Sequence, residues 1–271
     1  MKVGIIGYGS MGKMLLRKFW ESGRFPKGDL LAANRTPEKL KEASEFAIIC
    51  ANRELARMAD IVFVCVRPAD LKTVLTEIRS DLAAGTLLVS LNGSITFEMI
   101  RNVLDHKTAK VIPSLTAEIG RSQTIVCYND LVERADKEKL EDLLEIIGEV
   151  IELPENEVGM GSELVSCMPG FIASIFDVIC RSAQDHTHIP HEQIVRMVLN
   201  TMSAAGDLML KKDLSFAEVV SRVATPGGIT EEGTKVIYEQ LPATADAVFE
   251  KTLEKRKTTA KRAEELFCKE N

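Results

Sequence analysis

Short apolar runs alternate with amphipathic stretches through the first half of the chain. Lys2-Val3-Gly4-Ile5-Ile6-Gly7, Leu30–Ala33, Phe46–Ile49 and Ile61–Val66 predict strands. Thr86–Leu91, Lys110–Ile112 and Thr124–Cys127 predict three more. Residues 10–22 predict a helix with Met11, Leu15, Leu16 and Phe19 on one face. Pro37 stands where another helix begins, and helical stretches separate most strands. Strands that are apolar throughout, separated by helices, predict a doubly wound parallel sheet covered on both faces. From Pro154 onward the strand pattern ends. Residues 157–184 predict a long helix kinked at Pro169, and Pro190 opens a helix through about Lys211. Residues 229–241 and 243–268 predict two more. The expected plan is an α/β domain over residues 1–153 and an all-helical domain over 154–271.

Composition narrows the partners. The 271 residues are 45 % hydrophobic and 27 % charged, which excludes disorder, collagen and coiled coil and is ample for a core. Lys and Arg number 34 against 40 Asp and Glu, a net charge of −6 without a basic block, so neither nucleic acid nor a membrane is an expected partner. No unbroken apolar run approaches the roughly 18 to 20 residues of a membrane span. Lys255, Arg256, Lys257, Lys261 and Arg262 are interleaved with Glu254, Glu264 and Glu265 and predict a solvated helix face. Cys50, Cys65, Cys127, Cys167, Cys180 and Cys268 form no CxxC pair, and most lie in apolar runs. They read as free thiols of a cytoplasmic protein. Gly4, Gly7, Gly9 and Gly12 break the N-terminal apolar stretch, and no cleavage pattern follows, so no signal peptide is expected. His186, His188 and His191 join two helices and match no metal template, so no metal is expected. Met197, Met202 and Met209 follow helical spacing and predict core or dimer interface.

Gly7-Tyr8-Gly9-Ser10-Met11-Gly12 matches G-x-G-x-x-G directly after a strand and at the opening of a helix. Gly7 suits a tight turn, Gly9 the close approach of a pyrophosphate, and Gly12 close helix–strand packing. The first half is therefore expected to be a Rossmann-type dinucleotide domain. An NAD enzyme places Asp or Glu about 20 residues beyond the glycines, whereas this chain has Asn34-Arg35-Thr36. Arg35 can pair with a 2′-phosphate, and Asn34 and Thr36 can donate to it, so NADP(H) is expected over NAD(H). Val66-Arg67-Pro68 and Asn92-Gly93 follow two further strands and are expected to flank the nicotinamide side of the same crevice. Thr225-Pro226-Gly227-Gly228-Ile229-Thr230 precedes a helix, and its N–H groups suit either a carboxylate or an ordinary helix cap.

Five stretches together resemble the pyrroline-5-carboxylate reductase family over essentially the whole chain. They are Gly7–Gly12, Asn52-Arg53-Glu54, Val66-Arg67-Pro68, Ile112-Pro113-Ser114 and Thr225–Thr230, the last similar to the family's Ser-Pro-Gly-Gly-x-Thr signature. The resemblance implies reduction of a cyclic imine, pyrroline-5-carboxylate, to proline by NAD(P)H. It implies that Asn52, the 66–68 loop and the 92–93 turn touch the dinucleotide. It further implies that Gly227, Gly228, Ile229 and Thr230 hold the substrate, with Thr225 and Ser166 beside it. Thr230 is expected to bond the imine nitrogen and pass it a proton. Homodimers through the helical domain, sometimes assembled further, are also implied, each active site being completed by the partner subunit. Asp213 lies near a position where the family often has a glutamate.

The chain departs from the family at Ile112-Pro113-Ser114, where Met-Pro-Asn is usual. It also departs at Val165-Ser166-Cys167-Met168-Pro169-Gly170-Phe171, where small residues are usual. These stretches, with Asn34-Arg35-Thr36-Pro37, resemble the late-competence-operon (ComER-type) branch. An NADP-binding regulatory protein and a reductase of another imine are therefore alternatives. A β-hydroxyacid dehydrogenase shares the plan but needs a lysine early in the long helix, and residues 157–184 contain none. A deazaflavin-linked NADP reductase shares the fingerprint but usually lacks the helical domain.

Overall fold

The computed structural model describes residues 1–268; the side chain of Cys268, counted among the thiols above, lies outside the described part. The strands are β1 Val3–Ile6, β2 Leu30–Ala33, β3 Ile48–Ile49, β4 Ile61–Val64, β5 Leu87–Ser90, β6 Thr108–Ile112, β7 Ser122–Tyr128 and β8 Gly148–Glu152. They form one sheet in the order β3-β2-β1-β4-β5-β6-β7-β8. The helices of this part are α1 Ser10–Glu21, α2 Asn52–Met58, α3 Pro68–Ile78, α4 Phe97–Arg101, α5 Arg134–Leu144 and α6 Val158–Ser162.

Side chains alternate across a strand, so a sheet covered on both faces builds two cores. Val3, Ile5, Leu30, Ala32 and Phe63 meet Leu15, Leu16 and Phe19 of α1 and Leu140, Leu143 and Leu144 of α5. Ile6, Leu31, Val62, Val64 and Leu88 meet Leu55 of α2 and Leu71, Leu75 and Ile78 of α3. Each such fully buried Leu, Ile or Phe contributes about 1.5–3 kcal/mol.

All strand pairs are parallel except β6 with β7. The expected parallel sheet thus carries one antiparallel pair. The connection from Ile112 to Ser122 is too short for a parallel crossover, which needs about a dozen residues or more. It forms a 3-10 turn, Leu115–Ile119, closed by Gly120 at φ +69°. β8 has no predicted counterpart, because an edge strand in which Glu149 and Glu152 bracket only Val150 and Ile151 lacks an apolar run. The helix expected at Pro37 is a 3-10 turn, Pro37–Leu40.

By its internal contacts the chain forms two units, one of Met1–Pro169 together with the stretch from Leu253 onward, the other Gly170–Thr252. The first therefore reaches beyond Pro154. Val158 packs with Ile112, Ile125 and Cys127, and Ala263 is buried in the core that holds α2 and α3. The helices of the remainder are α7 Met168–Gln184, α8 His191–Lys212, α9 Phe216–Val223 and α10 Ile229–Cys268. Between α6 and α7, just ahead of Pro169 where the kink was expected, runs a π turn, Glu163–Cys167. Pro169 has no N–H for the Val165 carbonyl, and the wider turn falls just ahead of it. Residues 229–268, expected as two helices, are one that continues through Pro242. Pro242 has no N–H for the carbonyl of Tyr238, and Tyr238 is exposed, so water can reach that turn. The continuous helix Glu155–Gln184 is long and apolar enough on average to cross a membrane by length and composition. Polar residues interrupt every apolar run within it, so no single run in the sequence announces its length.

Candidate functional site

In an open α/β sheet ligands bind beyond the carboxyl ends of the strands, where the strand order reverses. Here the chain leaves β1 toward β2 and β3 on one side, then crosses to β4 on the other. The Gly7–Gly12 turn lies at that switch point. Gly7 takes φ +98°, and its N–H donates to the Ala33 carbonyl at 2.8 Å. A Cβ on Gly7 would fall 2.8 Å from the Cys65 carbonyl oxygen, and one on Gly12 would collide with the Gly7 carbonyl. At Gly9 nothing lies within 4 Å of that position. Gly9 and Ser10 are exposed, and the first turn of α1 has neither an acidic residue nor a side-chain cap. An exposed glycine before a helix start with unclaimed N–H groups fits a pyrophosphate.

Around this turn the expected residues take different parts. The Tyr8 ring is buried in the core beside α1, so only its backbone faces the crevice. Burial raises the Tyr8 pKa against the nearby Arg17 charge, and its hydroxyl has no partner. Asn34 accepts from Tyr8 N at 2.9 Å and donates to the Thr36 carbonyl at 2.9 Å, tying the β1 and β2 loops together. Met11 is half-buried and Thr36 exposed. Arg35 is 82 % exposed, with Asp70 Oδ1 at 3.7 Å from its Nη1. Arg67 donates from Nε and Nη2 to Asp70 Oδ2, both at 3.0 Å. Pro68 opens α3. Asn92 is buried and donates to the Val66 carbonyl at 3.1 Å, so the loops after β4 and β5 are also tied. Asn52 follows β3 and opens α2, and its amide donates to Glu77 of α3 at 2.8 Å.

Beyond β5 and β6 the structure adds a group the sequence reading set aside. Arg256, expected on a solvated face, has a side chain only 23 % exposed. Lys255, Lys257, Lys261 and Arg262 are exposed as expected. Arg256 donates from Nε at 3.1 Å and Nη2 at 2.8 Å to one oxygen of Glu163, which is 1 % exposed. A Cβ on Gly93 would lie 3.5 Å from Arg256 Nη1 and 3.6 Å from Ser162 Oγ. Burial pushes the Cys167 thiol pKa up, and its hydrogen bond with Glu163 adds to this. Both effects disfavour the thiolate that a nucleophile needs. Ser166 is half-buried in the same π turn. The signal for this group was the lone Glu163 in an apolar stretch, which needs a cation wherever it is buried.

In the other unit, Thr225–Gly228 turns from α9 into α10. Gly227 takes φ +72°, and a Cβ on Gly228 would meet Thr225 Oγ1 at 2.5 Å. The Gly227 N–H donates to Glu231 Oε2 at 2.7 Å and the Gly228 N–H to the Thr225 carbonyl at 2.8 Å. Two of the donors expected for a substrate carboxylate are thus already bonded. Ile229 and Thr230, both exposed, open α10, where no earlier turn of helix takes their N–H groups. Asp213 caps α8 in the left-handed conformation at φ 51°. Among the described residues there is no group of three or more His, Cys, Asp or Glu that could hold a metal.

Comparison with known proteins matches residues 2–93 to the family described as "NADP oxidoreductase coenzyme F420-dependent". Residues 155–259 match "Pyrroline-5-carboxylate reductase dimerisation". Pyrroline-5-carboxylate reductase 3 of Bacillus subtilis is 29 % identical over 258 residues, 94 % of this chain and 95 % of that protein. ComE operon protein 4 of the same organism is 24 % identical over 256 residues, 93 % and 94 % of the two chains. The crystal structure of Plasmodium falciparum pyrroline carboxylate reductase with NADP bound superposes with a TM-score of 0.85 at 23 % identity, covering 96 % of this chain and 98 % of that one.

Proposed function

The chain belongs to the pyrroline-5-carboxylate reductase family, and from that premise we propose that it reduces pyrroline-5-carboxylate to proline with NADPH preferred over NADH. The observation that carries this reading is the Gly7–Gly12 turn at the β1–β4 switch point of a chain whose residues 155–259 match that family's dimerisation domain.

The bound nicotinamide supplies the hydride, and the imine nitrogen gains a proton. Gly9 admits the pyrophosphate to the first turn of α1, and Arg35 bears on the 2′-phosphate. Val66, Pro68, Asn92 and Gly93 line the nicotinamide side, where Asn92 fixes the spacing of two loops, while the Arg67 guanidinium turns to Asp70 beside Arg35. Gly227, Gly228, Ile229 and Thr230 hold the substrate, with Thr225 and Ser166 near it. The N–H groups of Ile229 and Thr230 receive the carboxylate. The Thr230 hydroxyl orients the imine nitrogen and relays its proton. The protein works as a homodimer or larger homo-oligomer. The described cysteines are free, in keeping with a cytoplasmic enzyme.

A second reading, reduction of a cyclic imine without a carboxylate, is favoured by the Glu231 carboxylate already on the Gly227 N–H. The test is NADPH oxidation, followed by nicotinamide absorbance, with pyrroline-5-carboxylate and with 1-pyrroline, and with NADH in parallel. Turnover of pyrroline-5-carboxylate is expected, faster with NADPH, and Thr230→Ala lowers kcat at least roughly tenfold. Turnover of 1-pyrroline alone would transfer the proposal to the second reading, and turnover of neither would leave a nucleotide-binding regulator.

A further inference from the structure

We propose that Asp70 is a specificity-determining residue, which holds and partly neutralises two guanidiniums at the cofactor crevice and so moderates selection for a 2′-phosphate. The inference rests on the cofactor reading above and deepens it.

Arg35 follows β2 and Arg67 follows β4, the two strands that flank β1. Far apart in sequence, they converge on one carboxylate. Asp70 Oδ1 stands 3.7 Å from Arg35 Nη1, and Oδ2 accepts two bonds of 3.0 Å from Arg67. The arginine side chains are 82 and 75 % exposed and Asp70 33 %, so all three meet solvent where a ligand arrives. The end of β2 has no acid of the kind an NAD enzyme places there. The fold supplies one, carried in by the first turn of α3.

The charge balance follows. A 2′-phosphate carries close to two negative charges, and it meets two guanidiniums and a carboxylate rather than two guanidiniums alone. The carboxylate repels it, whereas a ribose 2′-hydroxyl finds in the same carboxylate an acceptor of the kind NAD enzymes use. Arg67 is then a second cationic arm, and Asp70 narrows the gap between the two cofactors. Because the group is exposed, solvent and salt limit the effect to roughly severalfold.

The experiment is a titration of the full chain with NADPH and NADH, and with 2′,5′-ADP and 5′-AMP as fragments that lack the nicotinamide. Asp70→Asn is expected to raise the NADPH-to-NADH affinity ratio about fivefold, with the same trend in the fragments and a smaller one at high salt. Arg35→Ala and Arg67→Ala are each expected to lower the ratio about tenfold. An unchanged ratio in Asp70→Asn overturns the proposal. So does a lowered ratio, since it would make Asp70 an organiser of the arginines instead. If Arg35→Ala leaves the ratio unchanged, the 2′-phosphate reading of Arg35 fails, whatever the substrate proves to be. Equal melting temperatures across the variants exclude misfolding as the cause.

Discussion

Asn34 and Asn92 show what single polar side chains do at this crevice: each bonds the backbone of a neighbouring loop and sets a spacing. His106 does the same at the opposite ends of the strands, with its Nε2 2.7 Å from the Thr86 carbonyl oxygen, so that nitrogen carries the proton. Burial pushes the His106 pKa below 6.5; the bond to Thr86 opposes this, Lys107 adds to it and Asp105 opposes it. As pH falls through 6.5, the unfolded chain takes up a proton that the folded chain resists. The protein binds fewer protons when folded, so stability declines over that window. The decline stops below the folded-state pKa, where both forms are protonated. Urea midpoints at pH 7, 6 and 5 should fall in that order, and His106→Gln, which keeps an N–H donor, should show a shallower fall. A parallel fall in the variant would assign the effect to other groups.

At the scale of elements, the start of α4, strand β6 and the segment after β8 are joined by one carboxylate. Glu155 Oε1 accepts from the Phe97 N–H at 2.8 Å and pairs with the ammonium of Lys110, which is 1 % exposed and lies 4.8 Å from the Phe97 ring centroid. Burial lowers the Lys110 pKa, and Glu155 works against that. Removing the anion strands a buried cation, whereas removing the cation leaves a carboxylate that still reaches water. Glu155→Gln is therefore expected to destabilise by about 3 kcal/mol and Lys110→Met by less than about 1.5 kcal/mol in urea unfolding. Equal losses would refute the asymmetry. No sequence pattern announces this pair, because Lys110 reads as the polar start of a strand and Glu155 as a loop residue. The same limit explains what else was hidden. The sheet, its switch point and the glycine turn were legible, since continuous apolar runs and fixed glycine spacings are local signals. The antiparallel β6–β7 pair, the inward turn of Arg256 and the meeting of Asp70 with Arg35 depend on residues 10 to 93 positions apart. Local periodicity carries no such information.

The whole molecule leaves apolar surface on its helical unit that a monomer has no use for. Val178 is 65 %, Leu210 76 %, Phe216 78 % and Ile229 95 % exposed. Only Cys180 and Ile194 of that unit's hydrophobic residues are buried, although α7 is strongly apolar. Large exposed apolar faces mark interaction surfaces, and the match of residues 155–259 to a dimerisation domain identifies the partner as a second copy. In a two-fold assembly each substitution acts twice. One interface anchor contributes roughly 2 kcal/mol, so two copies of a charge at such a position weaken association about a thousandfold. Leu210→Glu is thus expected to shift sedimentation at micromolar concentration from dimer or larger toward monomer. Turnover should fall with it under the proposed function, since the family resemblance implies that the partner subunit completes each active site. Ile119→Glu, at a position 71 % exposed in the sheet-bearing unit, should leave both assembly and turnover unchanged. A monomeric wild type would remove the dimer reading outright. A Leu210→Glu dimer with full turnover would instead move the interface to another face of the helical unit.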